Sequence, residues 1–311
     1  MSNVNKSPID DLDKQANEIV KLRNRSLLVL YYPDGDGTIK EEDIEDIYGE
    51  FRRRGWVRNS DPCSLDVLFH TFGGDPIAAY RIAQIIRDFS NNVVFLIPEH
   101  AYSAGTLTCL SGNEIRLGAY AALSPIDITM GSRPTSEGVQ LLNIDYFMQF
   151  VASCRAQIEQ MLKNNRIKGN TDVDCQLLVE MIKQVGALNV GRFFRERTLT
   201  GDYANRLLND YMLSDNLNKK QLSQDIIHKL LFEMPSHSFE MDYHICKEIE
   251  LPVVEMSESE SDITKKFISM LEELTKMHII CKDVGNEYKL PFFRLYNKEE
   301  AIINDANPKT S

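Results

Sequence analysis

Short unbroken apolar runs recur through the first third of the chain, each followed by a polar or glycine-containing corner and then by apolar positions at helical spacing. RSLLVLYY (25–32) and LDVLF (65–69) read as the first two strands, and VVFLI (93–97), an unbroken apolar run too short for most helices, predicts a strand buried on both faces. Between them, Ile39, Ile44, Ile47 and Phe51 recur at helical spacing over an acidic face, and Ala78, Ile82, Ile85, Ile86 and Phe89 line one side of a second helix. Asp75 and Pro76 suit the N-cap and first position of that helix. A further short strand is expected at 113–118. Alternating strands and helices predict an α/β fold whose consecutive strands share one parallel sheet through right-handed crossovers.

Residues 8–25 predict a charged surface helix, and further helical patterns cover 143–165, 173–189, 200–213 and 218–232. A short helix within 241–252 leads into the strand LPVVEM. The acidic, serine-rich stretch at 255–262 reads as a linker. An amphipathic helix at 263–276 and a hairpin within 278–296 follow it. The expected organisation is a main domain over 1–254, the linker, and a small C-terminal helix and hairpin module over 263–311.

Two corners carry the candidate chemistry. After VVFLI the residues Tyr102, Ser103, Ala104 and Gly105 turn the chain into the start of a buried helix, which places the Ser103 hydroxyl beside free amides at the positive helix end. A nucleophile for acyl transfer fits there, and so does a plain N-cap serine. After LDVLF comes the pair Gly73 and Gly74, which lets bare backbone approach a ligand and aim N–H groups at an oxyanion, or simply makes a tight turn. In one parallel sheet both corners lie at the same carboxyl edge, where α/β proteins bind ligands.

The net charge of −11, with 46 acidic against 35 basic residues, argues against nucleic acid as a partner. The polar, acidic opening stretch lacks the pattern of a secretory signal, and no apolar run approaches the roughly 20 residues of a membrane-spanning helix. A cytoplasmic location is therefore expected. The six cysteines are dispersed without a C-x-x-C pair, which indicates neither zinc nor a disulfide framework. The PDGDG segment at 33–37 invites a calcium reading but lacks the alternation and terminal glutamate of an EF-hand loop, so it reads as a turn. No cofactor and no metal are expected.

VLFHTFGGD, IPEHAYSAGTLTCLSGNEIRLG and LSPID at their mutual spacing resemble the serine dehydrogenase proteinase family, relatives of the Clp protease and of the signal-peptide-peptidase A class. The resemblance is dense over 60–130 and thinner to about 254. It implies a Clp/crotonase-like spiral of βα units and an intracellular serine peptidase with a Ser-Asp-His triad. Carried onto this sequence, the triad is Ser103, Asp127 and His237. Gly74 and Ala104 supply the oxyanion amides and Gly73 shapes their turn. Phe72, Ser124 and Ile128-Thr129 depart from the family pattern of proline before the glycines and of a GPIDPQ-like segment.

Histidine suits the base because its ordinary pKa lies near neutrality. His70 and His100 flank the two corners and read as structural neighbours. His237 lies in a Pro-Ser loop from which a side chain reaches a sheet edge, whereas His244 falls in a short helix, reads as packing or capping, and stands as the alternative base. A peptide or protein substrate and self-association go with the peptidase reading. An acyl-thioester hydrolase on the same fold and a non-catalytic scaffold that docks a partner protein through residues 263–311 are the alternatives.

Overall fold

The computed structural model describes residues 8–35, 37–58, 63–127, 176, 187–280 and 291–301. Packing divides the chain into two compact units, one comprising Met1–Ile126 with Tyr203–Ser311 and the other Asp127–Asp202. The helical pattern at 143–165 and most of that at 173–189 lie outside the described residues.

The first unit is built on β1 (Ser26–Tyr31), β2 (Ser64–His70), β3 (Asn92–Ile97), β5 (Glu114–Leu117), β7 (Val253–Glu255) and β8 (Phe292–Tyr296). They form one six-stranded sheet in the order β7-β5-β3-β2-β1-β8. Neighbours are parallel except β1 with β8. This mostly parallel sheet with helices on both faces is the α/β, Clp/crotonase-like architecture. A second, two-stranded parallel pair joins β4 (His100–Ala101) to β6 (Ala122–Leu123).

The three apolar runs are uniform because β1–β3 are covered on both faces. Leu28, Leu30, Val67, Phe69, Phe95 and Ile97 face one core, which also takes Ile47 and Phe51 of α2 (Asp43–Arg53) and the apolar side of α3 (Pro76–Phe89). Leu27, Val29, Leu68, Val94 and Leu96 face a second core with Leu12, Ala16 and Ile19 of α1 (Pro8–Arg23). Fixed alternation along each strand separates the two sets. The chain continues with the short α4 (Ala104–Cys109), α5 (Ala187–Leu207), α6 (Lys219–His228), α7 (Tyr243–Glu248) and α8 (Glu258–Ile280). The last two residues of β2 therefore deliver the chain to the glycine corner, and β3 delivers it through β4 to Ser103.

The C-terminal region differs from the expected separate module. Phe267, Ile268 and Leu271 of α8 and Phe292 and Tyr296 of β8 are buried in the second core, and β8 pairs with β1 as the edge strand of the main sheet. Of the expected hairpin, residues 281–290 lie outside the described residues. The acidic stretch at 255–262 opens α8 with a capping box: the Ser257 amide donates to Glu260 Oε2 at 2.8 Å and the Glu260 amide to Ser257 Oγ at 3.3 Å. Glu260 is buried because Arg23 pairs with it and Arg116 bonds both its oxygens at 3.1 Å. Arg23 and Arg25 also hold Asp66, buried on the same sheet face.

Candidate active site

Four backbone segments lie side by side beyond the carboxyl ends of β2 and β3. Thr71 bridges Ala101, Ala101 pairs with Leu123, and Leu123 bridges Met241 in antiparallel sense. The ladder is held by Thr71 N–H to His100 O at 3.2 Å, Tyr102 N–H to Thr71 O at 3.0 Å, and the reciprocal Leu123–Met241 bonds at 3.0 and 2.9 Å. Gly73, Ser103 and Ser124 each follow one of these rungs by one or two residues, so the ladder sets their mutual placement.

Ser103 stands between β4 and α4 with φ 52° and ψ −113°, in the positive-φ region that residues with a Cβ seldom enter. A serine on a strained strand-to-helix turn is the geometry that exposes a nucleophilic hydroxyl above a sheet. Its side chain makes no capping bond, so the N-cap role open to it in the sequence is not filled. The strain is braced on both sides. The Ser103 amide donates to Ser124 Oγ at 2.7 Å, and the Gly105 amide donates to Tyr102 O at 2.7 Å. Ser124 is itself buried and fixed, donating to Pro125 O at 3.2 Å and, through its amide, to Thr106 Oγ1 at 3.1 Å.

The glycine corner abuts this turn. Gly73 has φ 107°, and a Cβ there would lie 2.9 Å from Tyr102 O, 3.0 Å from Ser103 Cβ and 3.4 Å from Ala104 N. Gly74 has φ 147°, and a Cβ would meet the Ile39 backbone at 2.4 Å. Both positions require glycine for conformation and for space. The Gly73 amide is occupied by Thr71 Oγ1 at 3.0 Å. By contrast, neither the Gly74 nor the Ala104 amide donates a hydrogen bond among the described residues. The two corners thus bring Gly73 against Ser103 and Ala104, and leave the amides of Gly74 and Ala104, the next residues along each corner, without a partner among the described residues.

The other sequence-selected residues are placed as follows. His237 is half-buried in a turn closed by Phe239 N–H to Ser236 O at 3.1 Å. That segment is tied to the ladder at Met241 and by the Tyr102 hydroxyl, which donates to Glu240 Oε1 at 2.9 Å. Burial and the neighbouring Glu240 carboxylate push the Tyr102 phenol up, which keeps it a donor. His244 is exposed on α7, whose cap is Asp242, accepting from the Ile245 amide at 2.9 Å. His244 neither caps nor packs in the core, a correction to the sequence reading that follows from the aspartate two residues earlier. Asp127 is the first residue of the second unit and is half-buried.

Sequence reasoning treated Ser124 only as a departure from a family glycine, and it missed Thr71; both hold backbone that shapes the site. It also set aside His70 and His100, which lie together with ring centroids 4.1 Å apart. His70 is 1% exposed, and burial followed by the neighbouring His100 brings its pKa down to about 4. Burial likewise lowers His100. Phe72 and Tyr102 pack on the His100 ring at 4.2 and 4.8 Å, so the Phe72 departure forms part of an aromatic wall beside the serine corner.

The sequence pattern that defines the ClpP-like SDH-type serine proteinases matches residues 38–228. The chain belongs to this family. The matched span takes in Gly73, Gly74, Ser103, Ala104 and Asp127 and ends before His237 and His244. Two proteins of Methanocaldococcus jannaschii are similar to the chain. Uncharacterized protein MJ1495 is 25% identical over 162 residues, 52% of this chain and 53% of that protein. Uncharacterized protein MJ0137 is 33% identical over 70 residues, 22% of this chain and 24% of that protein. The chain spans about half the length of the first of these relatives and a quarter of the second. Among solved structures, a point mutant of the 1510-N membrane-bound stomatin-specific protease is similar at 16% identity and TM-score 0.27, over 37% of this chain and 55% of that one. No described helix of the present chain is long and apolar enough to cross a membrane.

Proposed function

We propose that the chain is a serine peptidase that works through an acyl-enzyme on Ser103. The observation that carries this reading is the strained Ser103 turn set against the paired glycines, with the Gly74 and Ala104 amides left without partners among the described residues. A serine hydroxyl needs a base to become nucleophilic. In this reading the His237 imidazole takes the Ser103 proton as the oxygen attacks the peptide carbonyl carbon; a carboxylate that orients the imidazole completes such a triad, and Asp127 is the residue the family resemblance assigns to that role.

The carbonyl oxygen becomes negative in the tetrahedral intermediate and receives the Gly74 and Ala104 N–H groups, preorganised by the ladder. On collapse the C–N bond breaks and the imidazolium proton passes to the leaving amine. Water, deprotonated by the same imidazole, then attacks the ester carbon and returns Ser103 to its starting state. The occupied Gly73 amide leaves that glycine a shaping role.

Membership of a proteinase family favours peptide over thioester substrates. Turnover of a fluorogenic peptide panel and of an acyl-thioester panel, each by wild type and Ser103→Ala, separates the two. Serine-dependent cleavage of peptides is expected, and serine-dependent turnover confined to thioesters would overturn the peptidase assignment.

A further inference from the structure

Beside the serine corner is a second cluster of polar groups that the hydrolytic chemistry does not use. His70 closes β2, His100 opens β4, and Asp34 lies in the turn after β1, yet one ligating atom of each falls within 4.8 Å of the others. We propose that Asp34, His70 and His100 form a binding site for a divalent transition metal, and that the ion is Zn2+.

Three observations favour a bound cation over a chance cluster. First, both ring nitrogens of the buried His70 and Nε2 of His100 have no hydrogen-bond partner among the described residues, a condition that a folded interior rarely leaves uncompensated. Second, the edge between His70 and Asp34 fits, with the His100 ligating atom within 4.8 Å of both. His70 Nε2 is 3.5 Å from Asp34 Oδ1, too long for a good hydrogen bond but close to the ~3.3 Å edge of a tetrahedron with Zn–N and Zn–O bonds of about 2.0 Å. Third, the other His70 nitrogen, Nδ1, is 3.4 Å from Glu99 Oε2. That is longer than a good hydrogen bond, but a shift of a few tenths of an ångström would make it the carboxylate–imidazole pair that orients metal-binding histidines.

The donor set selects among ions. Two imidazoles and one carboxylate suit zinc, whereas Ca2+ and Mg2+ take oxygen ligands. Asp34 is 71% exposed and the histidines are covered, so Asp34 is the side from which the ion enters. A fourth position is left for water.

The test uses the full chain, stripped with a chelator, dialysed and titrated with Zn2+ alone, with metal content read by elemental analysis and the site environment by the visible spectrum of a Co2+-loaded sample. One Zn2+ per chain is expected, undisplaced by excess Mg2+ or Ca2+, together with a Co2+ spectrum of low coordination number. Asp34→Asn changes an exposed side chain and preserves the fold; it and His100→Gln should each weaken binding by about tenfold or more. Absence of stoichiometric Zn2+ binding in the wild type, or wild-type affinity in a folded Asp34→Asn protein, would overturn the proposal. None of these readouts depends on Ser103, so the peptidase reading stands or falls separately.

Discussion

The amide of Ser103 donates a 2.7 Å hydrogen bond to the hydroxyl of Ser124, tying the strained turn of the candidate nucleophile to the end of β6. A positive φ at a residue with a Cβ persists only where its surroundings over-determine it. Ser124→Ala leaves the Ser103 amide without its acceptor and should destabilise the fold by about 1–3 kcal/mol. Urea midpoints measure that loss. A fluorophosphonate labelling rate on the still-folded variant should fall as well, because the turn relaxes.

The two glycines separate conformation from approach. In Gly73→Ala the new methyl would press on Ser103 Cβ from 3.0 Å and on Tyr102 O from 2.9 Å. Displacing a reacting group by about 1 Å can reduce rates on the order of 100-fold, and labelling of Ser103 should fall by about that factor. Thr71→Val, which removes the acceptor of the Gly73 amide and the donor to the Gly73 carbonyl without adding bulk against Ser103, should slow labelling by less.

Removing the proposed base tests the role assigned to His237 on its tethered turn. His237→Ala should lower turnover by roughly 10^4-fold or more, the scale seen when a triad member is lost, in a protein that is still folded. His244 is exposed and bonded into no cap, so His244→Ala should leave both turnover and stability within experimental scatter of wild type. An inactive, folded His244→Ala beside an active His237→Ala would exchange their roles.

Glu260 predicts a pH dependence of stability. Burial pushes its carboxyl up, but the Ser257 amide and hydroxyl and the Arg23 and Arg116 guanidiniums outweigh that, and the net shift is downward. A carboxyl held below its unfolded value of about 4.3 contributes stability that is present above that pH and is lost as pH falls through the folded value. Glu260→Gln should therefore destabilise the protein at neutral pH by about 1.5–3 kcal/mol, and the gap from wild type should close in acid below about pH 4. Chemical unfolding of both proteins across pH measures the gap.

Much of the fold was legible in the sequence because its signals are local. Apolar runs covered on both faces gave β1–β3, and Asp75-Pro76 marked the start of α3, where the Asp75 side chain indeed accepts from the Ile77 amide at 2.9 Å. The serine and glycine corners were visible for the same reason, since each is a short string between a strand and a helix. What the sequence hid is long-range. The pairing of β8 with β1 joins Leu28 to Leu295, and no periodicity encodes that partner. Ser124 gains its part only because β6 lies beside β4. Asp34, His70 and His100 come from three separate elements, with none of the close spacing by which metal ligands are usually read. The Ser257-x-x-Glu260 capping box was readable in principle, but its acidic, serine-rich composition suggested a linker, and the two arginines that neutralise it are distant in sequence.

The central claim is that Ser103 is a nucleophile activated by its own site, and intact-mass analysis after exposure to a fluorophosphonate tests it most directly. The wild type should gain one phosphonyl adduct, mapped by peptide sequencing to Ser103, while Ser103→Ala gains none and His237→Ala gains it at a greatly reduced rate. Undiminished labelling of folded Ser103→Ala, or no labelling of the wild type by a panel of such probes, would contradict the account.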